Sequence, residues 1–164
     1  MDTNKFKPLC DALDRLIVKD VMPKWGDSAN HKQRLKHIWT VEVNDLLNVN
    51  LAGLKTIYQS FWDKKLVPPK KDMSQSEAEN FFTSRLPDLR VNVKVARKSY
   101  FCSKMSVLDE ANKIKDYERL LFVEFLEMIC RVAMWHFDTA EAKKIPMVDR
   151  LALVLDQVLL YKDI

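Results

Sequence analysis

Glycine is nearly missing from this chain: its 164 residues include only Gly26 and Gly53. So few argue against an all-β fold and against a glycine-cradled phosphate loop, and they favour helices. Cysteine is scarce as well. Cys10, Cys102 and Cys130 are odd in number and far apart, with no CxxC pair, and read as reduced intracellular thiols. No phosphate loop, dinucleotide fingerprint or HExxH motif occurs. The N-terminus, MDTNKFKP, is polar and carries no signal-peptide pattern. The longest apolar run, Leu151–Tyr161, is broken by Asp156 and Gln157 and is too short to span a bilayer. The expectation is a cytoplasmic or cytoskeletal protein without membrane contact.

What is present suits one domain large enough to bury a real core. Net charge is +4, from 27 basic and 23 acidic residues. Between Arg85 and Lys104 the balance is local: Arg85, Arg90, Lys94, Arg97, Lys98 and Lys104 stand against Asp88. Such a run reads either as a solvated helix face or as a contact for an acidic partner, such as nucleic acid, a tubulin tail or an anionic membrane.

Apolar spacing predicts helices along most of the chain. Phe6, Leu9, Leu13, Leu16 and Ile17 form a stripe over Lys5–Val21, which Pro23 and Gly26 end. The polar segment Asp27–Gln33 reads as a linker, and Leu35–Leu47 as a helix with an irregular start. Leu51, Leu54, Tyr58 and Phe61 mark a helix over Asn50–Trp62. Lys64–Asp72 (KKLVPPKKD) cannot be helical, because its two prolines forbid it. Ser74 and Glu77 form a capping box that opens a helix running to about Leu86, before Pro87. Val91, Val93 and Val95 alternate as a strand would, yet the residues that follow favour a helix to Met105. Ser106, three residues before Asp109, suggests a short capped turn. A helix over Phe122–Met134 and a last one opening on Pro146 complete the set. The last presents Val148, Leu151, Val154, Leu155, Val158 and Leu159, a stripe too wide to stay exposed.

Chemistry-bearing residues are sparse. His31, His37 and His136 lack metal-site spacing, and Cys130 falls within a helix and reads as core. Cys102, beside Lys98, is a candidate for an activated thiol only if it is exposed. Neither cysteine has the base and orienting group that nucleophilic catalysis needs nearby in sequence. The reading is non-enzymatic, with no cofactor and no bound metal.

The stretch Leu120–Ala133, LLFVEFLEMICRVA, holds an aliphatic residue at 120, an acid at Glu124, and Phe122, Phe125 and Leu126 around it. It resembles the exit half of a calcium-binding EF-hand, with Leu120 at the loop-strand position and Glu124 as the closing carboxylate. The ligands do not match. The first, third and fifth loop positions would be Lys113, Lys115 and Tyr117, and Glu118 stands where the turn needs glycine. Upstream, Asp63 and Glu77 sit where a first and a closing ligand would be, around a cationic, proline-stiffened loop longer than the usual ~12 residues.

The longer pattern comprises Leu51–Tyr58, Met73-Ser74 with Phe81-Phe82, Phe101–Met105 with Asp109-Glu110, the LLFVEFLEMICRVA stretch and a Pro-started helix. It resembles the degenerate EF-hand-like modules of ciliary and flagellar proteins in protists. The resemblance implies an all-α single domain of paired helix–loop–helix units, the degenerate pair (49–137), with a C-terminal amphipathic helix packed on it (138–164). Residues 1–48 fall outside the resemblance and read from their own apolar stripe as an N-terminal helical extension. It further implies a calcium-independent interaction module docking on a cytoskeletal assembly such as the axoneme, with tubulin or axonemal components as partners. Candidate contacts are Lys64, Lys65, Lys70, Lys71, Arg90, Lys94, Arg97 and Lys98. Phe101, Phe122, Phe125, Met128 and Ile129 would line a calmodulin-like groove, unless the first or last helix fills it in cis. Asp63, Glu77 and Glu124 would be vestigial ligands. The alternatives are a nucleic-acid-binding helical domain using the basic 85–104 segment, and a residual calcium sensor acting through Asp63 and Glu77.

Overall fold

A computed structural model describes residue 12 and residues 32–86, 88–105 and 109–161. The chain separates into two compact units, Met1–His37 and Ile38–Ile164. Of the first, the described residues are helical, entering a π-turn over Arg34–Ile38. The helix expected over Lys5–Val21, most of the linker Asp27–Gln33 and the Ser106 cap lie outside the described residues, apart from Ala12, Lys32 and Gln33.

The second unit is mostly helical. α1 (Val41–Val49) starts at Thr40, whose Oγ1 accepts from the Val43 amide at 3.4 Å. The span Leu35–Leu47, expected as one helix, is divided instead: a π-turn over Arg34–Ile38 ends in a bend at Trp39 and Thr40, and α1 begins only at Val41. α2 (Leu51–Ser60) follows after Asn50 alone. The proline loop then leads into β1 (Met73–Ser74), α3 (Gln75–Ser84) and α4 (Val93–Ser103). A short α5 (Glu110–Lys113) and a 3-10 turn (Ile114–Glu118) come before β2 (Arg119–Leu120). α6 (Phe122–His136), a second 3-10 turn (Ala142–Lys144) and α7 (Met147–Leu159) complete it.

Local chemistry sets these boundaries. Ser74 and Glu77 form the full capping box at the head of α3. The valine alternation resolves at Asn92, whose side chain accepts from the Lys94 amide at 2.8 Å and starts α4 at Val93. Val91 is left before the helix and buried, while Val93 points outward.

The only sheet among the described residues is the antiparallel pair β1–β2, in which Met73 faces Leu120 and Ser74 faces Arg119. Met73 and Leu120 are both wholly buried. The ladder therefore ties the loop before α3 to the loop before α6.

Met73 and Leu120 belong to one continuous core. Phe81 is its aromatic centre, with ring centroids at 5.1 Å from Phe82, 5.7 Å from Phe61, 6.0 Å from Phe125 and 5.1 Å from Tyr161. α7 packs on α6, α1 and α2 and buries Leu151, Val154, Leu155 and Val158. Where α7 passes α2, a Cβ at position 53 would lie 2.8 Å from Leu159 Cδ2, so Gly53 allows the close approach. Among the described residues no helix is long and apolar enough to cross a membrane.

Candidate functional site

The two loops joined by the ladder share one construction. Each enters a strand residue that is buried against its opposite number, and four residues later a glutamate stands in the first turn of the exit helix: Glu77 after Met73, Glu124 after Leu120. Each glutamate accepts a backbone amide of its own loop, Ser74 N–H to Glu77 Oε2 and Leu121 N–H to Glu124 Oε2, both at 2.8 Å. Each also holds a lysine ammonium. Lys70 Nζ donates to Glu77 Oε2. Lys104 Nζ lies 2.6 Å from Glu124 Oε2 and donates as well to the Arg119 carbonyl.

The second arrangement is the more enclosed. The Glu124 and Lys104 side chains are 3% and 7% exposed, and Glu124 Oε1 takes a further amide from Met105 at 2.8 Å. One ammonium thus sits between a buried carboxylate and the carbonyl of the residue before Leu120, with both carboxylate oxygens engaged. In the first loop burial pushes the Glu77 carboxyl up, but the bonds from Lys70 and Ser74 outweigh it and leave its pKa below the ordinary value. These sites carry positive charge from within the chain.

Two tyrosines brace the loops. Tyr58 on α2 donates to the Leu120 carbonyl at 2.8 Å, with the Lys71 carbonyl at 3.4 Å. Burial, aided by Asp72 and Glu124, pushes its pKa up to about 12. Tyr100 on α4 donates to the Tyr117 carbonyl at 2.8 Å, and its burial likewise raises its pKa. Asp63 is turned into its own loop: its carboxylate accepts the Lys65 amide at 2.9 Å and its carbonyl accepts the Lys70 amide at 3.0 Å.

The basic candidates divide. Lys64, Lys65 and Lys71 are exposed, whereas Lys70 turns inward to Glu77. On α4, Lys94, Arg97 and Lys98 are exposed on one helical face, and Arg90 is exposed ahead of it with φ 46°. Arg97 grips Glu79 through Nε and Nη2 at 3.2 and 3.1 Å, which lowers the Glu79 pKa. Lys98 Nζ stands 4.2 Å above the centre of the Trp135 ring.

The groove candidates divide too. Phe125, Met128 and Ile129 are wholly buried in the core, Phe122 is half-buried against Tyr58, and Phe101 is 57% exposed on α4. These five do not form one lining, because the face of α6 that carries 125, 128 and 129 packs on neighbouring helices. A cavity of about 450 Å³ lies instead beside the other face of α6, lined by Ile38, Trp39, Leu47, Met105, Val123 and Leu126. The apolar residues of α1 were visible in the sequence, but their pairing with Val123 and Leu126 needs the tertiary fold.

Among the described residues no group of three or more His, Cys, Asp or Glu side chains could hold a metal ion. Burial raises the Cys130 thiol to about 12 and leaves it unsuited to nucleophilic work. Cys102 is half-buried, and Cys10 and His31 lie outside the described residues. His136 is half-buried, and burial lowers its pKa. Lys104 is the residue that the sequence reading passed over. It counted only as one charge in a basic run, since its partner lies twenty positions on. Compared with protein-family models, curated proteins and solved structures, the chain has no match.

Proposed function

We propose that this chain is a degenerate EF-hand-like pair serving as a non-catalytic, calcium-independent interaction module. The observation that supports this best is the placement of a lysine ammonium on each closing glutamate, on either side of the Met73–Leu120 pair. In a calcium-binding loop the closing carboxylate and a backbone carbonyl face the ion. Here Lys104 meets the Glu124 carboxylate and the Arg119 carbonyl together. A site that holds its own cation has no calcium switch to open a groove. The packing of α7 on α6 supports the same view, since it fills the helical core in cis.

Such a module meets partners through its surface. The basic face of α4 (Lys94, Arg97 and Lys98), with Arg90 just ahead of it, is the contact for an acidic partner. A cytoskeletal assembly with acidic tubulin tails, as in a ciliary axoneme, has suitable chemistry. The residual-sensor alternative is weaker, because Glu77 already holds Lys70. The test is a pair of measurements on the full chain. Millimolar Ca²⁺ is expected to leave tryptophan fluorescence and the melting temperature unchanged. Reversing Arg90, Lys94 and Lys98 to Glu is expected to abolish sedimentation with microtubules while helicity is kept. A calcium-dependent melt would remove the first half of the reading, and unaltered sedimentation the second.

A further inference from the structure

The loop between α2 and β1 separates its lysines from its apolar residues in a way the sequence does not reveal. The Asp63–Lys70 bridge closes it, and three contacts hold its base: the Lys70 amide on the Asp63 carbonyl, the Lys70 ammonium on Glu77, and the Tyr58 hydroxyl beside the Lys71 carbonyl. At its tip Val67 is 97% exposed and Leu66 is 51% exposed. Lys64, Lys65 and Lys71 are exposed around them. The flanking acids leave an excess of positive charge there: Asp63 stands alone against Lys64, Lys65 and Lys71, and Asp72 lies 3.8 Å from Arg119 Nε.

We propose that this loop is a membrane-contact element, in which Leu66 and Val67 enter the interface of an anionic phospholipid bilayer while Lys64, Lys65 and Lys71 meet its phosphates. An aliphatic pair at the tip of a closed loop gains nothing from water and would gain from the boundary between headgroups and acyl chains. Lysines set just behind that tip match the negative surface potential of such a membrane. A purely acidic protein surface would use the lysines but leaves Val67 without a role. The loop is already closed at its base, so little ordering is lost on contact. The companion loop carries exposed Ile114, but Asp109, Asp116 and Glu118 outweigh Lys113 and Lys115 there, which confines the contact to the first loop. The sequence leads to no membrane contact; the exposure of Leu66 and Val67 beside exposed Lys64 and Lys65 is what departs from it.

The experiment is co-sedimentation of the full chain with vesicles of phosphatidylcholine alone and of phosphatidylcholine mixed with phosphatidylserine. Wild type is expected to bind only the mixed vesicles. Leu66→Ser with Val67→Ser keeps the charge, and is expected to weaken that binding about tenfold. Lys64→Ala and Lys65→Ala are each expected to weaken it about fivefold, with loss at high salt. All four sites are exposed, and unchanged circular dichroism is expected for each variant. Absence of wild-type binding to the mixed vesicles overturns the proposal. So does binding that the serine variant retains in full, which would show that Leu66 and Val67 do not enter the interface.

Discussion

Met73 and Leu120 face each other across the two-residue ladder, and each stands four positions before a glutamate that holds a lysine. The pairing of two buried apolar residues fixes the distance between the loops, and the glutamates then fall at equivalent places on α3 and α6. The two lysines reach those places by different routes. Lys70 comes from within its own loop, seven residues before Glu77, while Lys104 comes from the end of the preceding helix, twenty before Glu124. Equivalent charge arrangement with unlike wiring means that the two sites are expected to respond differently to mutation.

The enclosed site is the more sensitive. Lys104→Met removes the ammonium and leaves the Glu124 carboxylate buried, with only amides to stabilise it. Breaking a buried pair from one side costs about 3–5 kcal/mol. A double variant, Lys104→Met with Glu124→Gln, removes both charges and is expected to recover most of that loss. Urea unfolding of the wild type, both single variants and the double gives the coupling directly. Additive losses would mean that the two side chains do not depend on each other.

At the half-exposed site the readout is pH. The folded-state pKa of Glu77 is lowered by Lys70 and Ser74, despite burial that opposes it. Its contribution is therefore complete above the ordinary glutamate value of about 4.3 and is lost as pH falls through the lower folded value. Glu77→Gln keeps an acceptor for the Ser74 amide, since glutamine serves at this place of the capping box as glutamate does, and removes the charge that Lys70 meets. The difference in urea midpoint between wild type and this variant is expected to shrink in that acid window. A difference that stays constant down to the acid limit would show that the charge of Glu77 contributes nothing to stability.

Helices, and the devices that start them, were legible because they are local. The Ser74–Glu77 box, the apolar stripe of α7 and the proline block in KKLVPPKKD are read from residues a few positions apart, and each stands where the spacing puts it. Face assignment was less legible. Phe125, Met128 and Ile129 carry the same stripe whether they line a groove or close a core, and only the packing of α4 and α7 against α6 decides for the core. The site chemistry was the least legible. Lys64, Lys65, Lys70 and Lys71 are equivalent as a string, yet only Lys70 turns to a carboxylate. Lys104 joins Glu124 only once α4 and α6 lie side by side, a contact that no short-range pattern encodes.

Tyr58 ties the ladder to α2, and its hydroxyl gives a titration that reports on the tie. Tyr58→Phe keeps the ring, with its centroid contacts at 5.3 Å to Phe122 and 5.7 Å to Phe125, but leaves the buried Leu120 carbonyl without that donor. The expected cost is about 1–2 kcal/mol at neutral pH. Because burial raises the folded-state pKa from 10.0 to about 12, the neutral phenol is favoured by folding. Its contribution is whole below the unfolded value and fades as pH rises from there through the folded one. The stability gap between wild type and Tyr58→Phe is therefore expected to close on the alkaline side. Comparing the two proteins cancels Tyr100, whose pKa is raised as well. Parallel stability curves across that range would show that the Tyr58 hydroxyl ionises alike in the folded and unfolded chains, and would remove it as the brace between α2 and β2.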